Sequence, residues 1–375
     1  MNRNVCILNG SQTCEISGFQ LQKAINFLKL NGYKIKKGPR GCDTVLVNSC
    51  VGVDSKKEDA EEVMDEVLKA GKTRIILFGC LAGIPNKYRD LPEVLHVGPK
   101  EIGKLNAYFD CAVPVEAVPA GDLGPEAFTP YQGGLLGSDK YLLISQGCVN
   151  SCTFCSIKKA KGALSSRPVG EIVGELKTAA FKGREVTLLS DDCGSYGLDI
   201  GTDLAALLEA MAAADPRVRF KISSLYPGAL LRLYPRLKPL LAAGRISYLS
   251  VPIQSGSPRV LKLMGRRYDI GRVLKTVLEI RKLSASTWIY THVIINFPTE
   301  TRADFVRSLR ASLCFSERMF INYSDNEGTP ASRLRPKVAL AEEKERLRLA
   351  KALLEKGHPG RLFPYDIDPS KYLFF

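Results

Sequence analysis

The sequence predicts a two-domain α/β protein, an N-terminal doubly wound parallel sheet followed by an open, curved partial barrel of six βα units. Three observations carry this. Short, near-continuous apolar runs alternate with helix-period segments from Val5 to Val97, and strands buried on both faces and joined by helices make parallel sheets. A stretch rich in Pro and Gly, residues 111–137, then interrupts the pattern and reads as a linker. Past it, six further strand candidates alternate with helical segments, too few for a closed eight-stranded barrel.

In chain order, Val5–Asn9 is a strand, and Phe19 to Leu30 carries apolar residues at 21, 24, 25 and 28 before Asn31–Gly32, a natural helix end. Thr44–Asn48 is the second strand. Ser55 to Ala70 is an amphipathic helix with Val63, Met64, Val67 and Leu68 inward and Gly71 closing it; Arg74–Phe78 and Val94–Val97 complete the set. These elements define a first domain over 1–110. The linker holds Pro114, Pro119, Pro125 and Pro130 with Gly121, Gly124, Gly133, Gly134 and Gly137. The barrel domain, 138–335, takes its strands from 141–145, 186–190, 219–223, 247–251, 288–296 and 319–323. Residues 336–375 read as a helical tail, with an amphipathic helix over Ala339 to Lys356 and a terminal Tyr372-Leu-Phe-Phe375.

The chemistry is concentrated in Ser145-Gln-Gly-Cys148-Val-Asn-Ser-Cys152-Thr-Phe-Cys155, three thiols spaced C-x3-C-x2-C directly after the first barrel strand. Thiolates are soft ligands suited to iron–sulfur clusters or zinc. Three of them leave one iron of a four-iron cluster open to a small molecule. Zinc wants a fourth protein ligand, and neither a fourth Cys nor any of His96, His292 and His358 stands nearby in sequence. Cys14, Cys50 and Cys80 share a different logic, since each follows a strand at its carboxyl end. Open α/β sheets bind ligands along that edge, so thiols 36 and 30 residues apart can converge. Cys6, Cys42, Cys193 and Cys314 read as structural.

Bulk properties narrow the class. The chain has 375 residues, enough for two cores. No apolar run reaches the ~18–20 residues of a membrane span, and the start lacks a signal-peptide core, so a cytoplasmic protein without membrane partners is expected. Eleven cysteines without a secretion signal point to metal binding or catalysis rather than disulfides. A net charge of +14 favours anionic partners, nucleic acid first.

C-x3-C-x2-C after a first barrel strand resembles the signature of radical S-adenosylmethionine (SAM) enzymes. Longer blocks resemble one family among them, the methylthiotransferases, over nearly residues 1–335. Asn48-Ser-Cys50 and Gly79-Cys80 are similar to that family's cluster-domain segments. Pro252-Ile-Gln-Ser-Gly-Ser257, Val260-Leu-Lys-Leu-Met-Gly-Arg-Arg-Tyr268, Phe297-Pro-Thr-Glu-Thr301 and Tyr323-Ser-Asp-Asn-Glu-Gly-Thr-Pro-Ala331 resemble its barrel motifs. The departures are local. Thr13 and Ser17 flank Cys14 where the family has Gly and Asn, and Asp191 replaces a usual Gln.

The resemblance implies a radical SAM partial (β/α)6 barrel and two [4Fe-4S] clusters. Cys148, Cys152 and Cys155 would hold the SAM-binding cluster, with Asp192, Gln254 and Ser255 beside SAM. Cys14, Cys50 and Cys80 would hold an auxiliary cluster whose open iron carries the sulfur to be inserted into a C–H bond, giving a methylthio group. An external electron donor such as flavodoxin or ferredoxin is implied, and the sulfur donor is left open. For the substrate, the charge and the Gln254–Ser257 wording point to tRNA. The family's usual small all-β RNA-binding (TRAM-type) domain has no counterpart after residue 335, which favours a peptide, peptidyl or small-molecule substrate. Two rivals are a cobalamin-dependent radical SAM enzyme, whose Asp-x-His-x-x-Gly signature is not found here, and a non-catalytic iron–sulfur protein that binds RNA.

Overall fold

The computed structural model describes residues 3–10, 14–36, 38–71, 74–118, 140–177, 185–357 and 359–363. The linker prolines and glycines from Pro119 onward, Thr13 and the final Tyr372–Phe375 lie outside them. The chain divides into two compact units, one of residues 1–133 and 156–163, the other of 134–155 and 164–367.

In the first unit the strands are β1 (Asn4–Asn9), β2 (Lys34–Lys36), β3 (Thr44–Ser49), β4 (Ile75–Gly79) and β5 (Val94–Val97). They form one parallel sheet in the order β2-β1-β3-β4-β5. Alternate residues of each strand feed opposite faces. Ile7, Leu46, Ile76 and Phe78 pack with Leu21, Ile25 and Leu28 of α1 (Glu15–Leu30). Leu8, Val45, Val47 and Leu77 pack with Ala60, Met64 and Val67 of α2 (Asp54–Lys69) on the other face. This is the expected doubly wound layering. The edge strand β2 was not expected, since a three-residue Lys-Ile-Lys run carries no legible periodicity. The short helices α3 (Leu105–Tyr108) and α4 (Ile157–Lys161) complete the unit.

The second unit holds β6 (Lys140–Leu143), a two-residue antiparallel pair β7 (Ser145–Gln146) and β8 (Ser165–Ser166), and β9 (Glu185–Leu189). After these come β10 (Arg219–Ile222), β11 (Ile246–Ser250), β12 (Trp288–Ile295), β13 (Glu317–Asn322) and β14 (Gly360–Phe363). Seven of them make a parallel sheet ordered β14-β13-β12-β11-β10-β9-β6. All six expected barrel strands are present within two residues of their predicted bounds. β14 adds a seventh that the sequence reading placed in a helical tail, because four residues after Gly357-His-Pro give too short a signal.

Helices α5 (Val169–Leu176), α6 (Leu204–Ala214), α7 (Pro227–Ala242), α8 (Pro258–Leu263), α9 (Ile270–Leu283), α10 (Arg302–Ser312) and α11 (Leu340–Glu355) follow the strands. Val186, Phe220, Leu249 and Val293 of the sheet pack with Leu208, Leu233, Val277 and Phe305 of the helices. Tyr248 and Ser250 of β11 and Tyr290 and His292 of β12 alternate with these residues and lie outside that core cluster. Tyr248 and Tyr290 stack at 6.2 Å, and His292 meets Tyr290 edge-on at 5.0 Å. Among the described residues no helix is long and apolar enough to cross a membrane.

Candidate active site

The loop Gly147–Cys155 follows β7, at the carboxyl end of the first barrel strands. The Cys148 sulfur accepts the Asn150 side-chain amide at 3.1 Å and the Asn150 backbone N–H at 3.4 Å. Ser195 Oγ stands 3.8 Å away and Asp192 Oδ2 4.0 Å away. Burial and then the Asp192 charge push the Cys148 thiol up from its ordinary value. N–H donors aimed at sulfur suit a thiolate ligand, and such hydrogen bonds tune iron–sulfur clusters.

The middle of the loop is clasped from a distant stretch of chain. Thr153 donates its N–H to Met264 O at 3.0 Å and its hydroxyl to Leu263 O at 2.8 Å. Ala331 N–H reaches Thr153 O at 3.0 Å. Gly265 has φ +69°, and a Cβ there would sit 2.6 Å from Ser151 O. The end of α8 therefore grips both neighbours of Cys152 and needs glycine to do so.

Three further positions were expected to face SAM. Gln254 follows β11 with φ 62°, a conformation costly for a side chain with a Cβ. It is fixed there by Gln254 N–H to His292 O and Ile294 N–H to Gln254 O, both 2.8 Å. Its Oε1 is buried and finds no donor among the described residues. A polar group held in a strained backbone and left unpaired is what a ligand-facing residue looks like.

Asp192 is different, since both its oxygens are taken by the chain. Oδ1 accepts Gly194 N–H at 2.9 Å and Tyr226 N–H at 3.0 Å, while Oδ2 accepts Ser195 Oγ at 2.6 Å and Asn150 Nδ2 at 2.8 Å. Asp191, the departure from the family pattern, accepts Gly147 N–H at 2.7 Å. Both aspartates thus shape the cysteine loop. Ser255 is fully buried, and its hydroxyl meets Ser308 Oγ of α10 at 3.1 Å and Ser257 N–H at 3.1 Å.

In the first unit the register places two of the second set of cysteines. Ser49 of β3 pairs with Gly79 of β4, so Cys50 and Cys80 leave the same edge on neighbouring strands. Gly79 has φ +96°, and a Cβ there would sit 2.5 Å from Ser49 O. Cys80 N–H bonds Ser49 O at 3.1 Å. Cys50 is buried, and its sulfur accepts Gly52 N–H at 3.4 Å. Cys14 stands at the N-cap of α1, after β1, with its thiol 3.6 Å from Ser17 Oγ. The unusual Ser17 therefore contacts the cysteine it was singled out beside. Asn48 bridges the edge by donating its side-chain amide to Asn9 Oδ1 at 2.9 Å.

Among the described residues no three His, Cys, Asp or Glu side chains converge on one point as ligands of a single metal ion do. A four-iron cluster makes another demand, because each thiolate takes a separate iron and the ligands surround a cube. Three half-buried thiols on one loop, N–H donors on the Cys148 sulfur and the buried, unpaired Gln254 Oε1 fit such a group.

Sequence reading missed the residues that build this loop. Asn150 bonds Cys148 at 3.1 Å and Asp192 at 2.8 Å, and Tyr226 N–H bonds Asp192 at 3.0 Å. Arg266 lies over Tyr226 at 5.2 Å and over Phe154 at 5.8 Å. Asn150 lay inside the Ser145–Cys155 stretch and Arg266 inside Val260–Tyr268, but neither was given a role; Tyr226 lay in no motif singled out from the sequence.

Comparison with known proteins agrees. The radical SAM superfamily model matches residues 142–311. The ribosomal protein uS12 methylthiotransferase RimO of Proteus mirabilis is 32% identical over 87% of this chain and 76% of its own length. Its counterpart from Pseudomonas savastanoi pv. phaseolicola is 33% identical over 84% and 72%. The threonylcarbamoyladenosine tRNA methylthiotransferase MtaB of Thermotoga maritima is 28% identical over 90% and 79%. Among solved structures, the radical SAM methyltransferase TsrM of Kitasatospora setae aligns with a TM-score of 0.55 at 15% identity, covering 85% of this chain and 72% of that one. That likeness speaks to the fold. Signature loop, barrel and relatives converge, and the chain belongs to the radical SAM methylthiotransferase family.

Proposed function

We propose that the protein inserts sulfur, as a methylthio group, into a C–H bond of a peptidyl substrate. Cys148, Cys152 and Cys155 hold the SAM-binding [4Fe-4S] cluster, and Cys14, Cys50 and Cys80 hold a second. When bound, these groups and SAM supply the radical that removes a hydrogen atom and the sulfur that replaces it. The chain supplies position. Asp191, Asp192 and Asn150 fix the first cysteine, α8 fixes the second, and Gln254 presents a free acceptor from the end of β11. The single observation that carries the reading is this clasped three-thiol loop at the barrel's carboxyl edge, within a chain 32–33% identical to ribosomal-protein methylthiotransferases.

A second reading, tRNA as substrate, is supported by the net charge of +14 and the tRNA-modifying relative. One experiment separates them. Ribosomal proteins and tRNA nucleosides from wild-type and deletion strains are compared by mass spectrometry. The expected result is a methylthio mass on a protein side chain that disappears in the deletion. Loss of a methylthio nucleoside, together with sub-micromolar tRNA binding at physiological salt, would overturn the preference. Production of 5′-deoxyadenosine from SAM and dithionite by the reconstituted protein tests the chemistry itself.

A further inference from the structure

Arg266 is a buried charge beside the signature loop that the site described above leaves unused. Its residue is 9% exposed, yet no carboxylate pairs with it among the described residues. Nη1 donates to Pro252 O at 3.0 Å, while Nε is buried without a partner. The guanidinium lies 5.2 Å from the ring centre of Tyr226 and 5.8 Å from that of Phe154, and Phe154 stands between Cys152 and Cys155 in the signature loop. Arg266 also directly follows Leu263–Gly265, the three residues that grip the chain on either side of Cys152. Burial works against its charge, and the groups that favour it are the Cys152 thiol and then the phenols of Tyr268 and Tyr226. A buried cation without a counter-ion is costly, and a chain that keeps one beside a ligand cysteine has reserved it for an anion.

We propose that Arg266 is the fixed counter-charge of the cluster held by Cys148, Cys152 and Cys155, and that it sets how readily that cluster accepts an electron. This rests on the functional reading above. Reduction adds one electron and one negative charge to a cluster already made anionic by its thiolates, with no bond formed or broken. A guanidinium held nearby in a dry environment favours the reduced form. The aromatic faces keep it in place without neutralising it. Arg266 is thus a positioning and tuning residue, and the reacting atoms need not touch it.

The test is an EPR-monitored redox titration of the anaerobically reconstituted full chain, with dithionite as reductant. The signal that changes shape on adding SAM identifies the barrel cluster, and its midpoint is then measured without SAM. Arg266→Met keeps the volume and removes the charge, while Arg266→Lys keeps the charge. With iron content unchanged, Arg266→Met should lower the reduced-to-oxidised ratio at the wild-type midpoint about tenfold, 59 mV for a one-electron couple. Arg266→Lys should stay within about threefold of wild type, roughly half a logarithmic unit on the same scale.

A Met variant at the wild-type ratio overturns the proposal, as does a Lys variant shifted as far as Met. An unchanged midpoint with weakened SAM binding assigns Arg266 to the SAM carboxylate and overturns it too. Should Arg266→Met load no iron, Arg266→Lys with full iron and the wild-type ratio supports the charge, and loss of iron from both overturns it. A wild type with no SAM-responsive cluster counts instead against the functional reading.

Discussion

On the proposed reading, the two cysteine triads meet the same demand by opposite means. Cys148, Cys152 and Cys155 lie within eight residues of one loop, and that loop has no regular structure of its own between Gly147 and Cys155. Its shape is borrowed from Asp191, Asp192 and the end of α8. Cys14, Cys50 and Cys80 are far apart in sequence but leave the ends of β1, β3 and β4, three adjacent strands already fixed by their ladder. A loop triad is local in sequence and depends on remote side chains. A strand-end triad is remote in sequence and depends on the backbone. The two should therefore fail differently.

The largest difference is expected when a whole triad is removed. Cys148→Ala/Cys152→Ala/Cys155→Ala should lower reconstituted iron from about eight to about four per chain and abolish 5′-deoxyadenosine formation. Cys50→Ala or Cys80→Ala should instead leave SAM cleavage running without any thiolated product. Iron analysis with product mass spectrometry checks both. A wild type that never exceeds four irons, or thiolated product from either single variant, would dissolve the distinction.

Glycine variants sharpen it. Gly79→Ala meets Ser49 O and Gly265→Ala meets Ser151 O, each from a left-handed backbone, at a cost of about 1–3 kcal/mol. Gly79→Ala should loosen the strand-end cluster and spare the SAM-dependent EPR signal. Gly265→Ala should do the reverse.

How legible each triad was follows from the same contrast. The spacing of Cys148, Cys152 and Cys155 named the loop outright, and the alternation of apolar runs with helices placed Cys50 and Cys80 on one edge, because strand ends are what periodicity locates. The support of the loop was not legible. Thr153 and Leu263 are 110 residues apart, and no local pattern says that Asp192 spends both oxygens on Asn150, Ser195, Gly194 and Tyr226. The family resemblance put Asp192 and Ser255 beside SAM, and a motif at a strand end gives position without saying which hydroxyls and carboxylates the chain itself consumes. β2 and β14 were missed for want of length.

A smaller effect should come from the contact between α10 and α8, the helix that clasps the loop triad. Asp304 caps α10 and accepts Ser257 Oγ at 2.6 Å, Thr301 Oγ1 at 2.7 Å and Arg259 Nη2 at 2.5 Å, so it ties α10 to the start of α8. Burial alone would raise its carboxyl, and the bonds from Arg259, Ser257 and Thr301 override this and hold it well below the usual range. With its folded value depressed, the stability it contributes is present above the unfolded value of about 3.9 and is lost as pH falls towards the folded one. Asp304→Asn should cost about 2–4 kcal/mol at neutral pH. It should also flatten the loss of stability below about pH 4. Denaturant titrations between neutral and acid pH measure both, and an unchanged acid limb would remove Asp304 from the account.

The smallest expected effect marks the limit of the comparison. Cys6 and Cys42 share the strand-rich unit with Cys14, Cys50 and Cys80, and both are buried, yet neither lies at the ligand edge. Cys6 is within β1 and packs among Leu8, Val45 and Met64 on the α2 face. Cys42 precedes β3, with its thiol 3.8 Å from Gly38 O. Both behave as small hydrophobes, so Cys6→Ala and Cys42→Ala should each cost about 1 kcal/mol of stability and leave iron content, SAM cleavage and thiolated product at wild-type levels. If place within the sheet decides which thiols bind, these two must be silent. Loss of iron from either would mean that the strand-end assignment chose the wrong three cysteines, and that the sheet edge alone does not select a ligand.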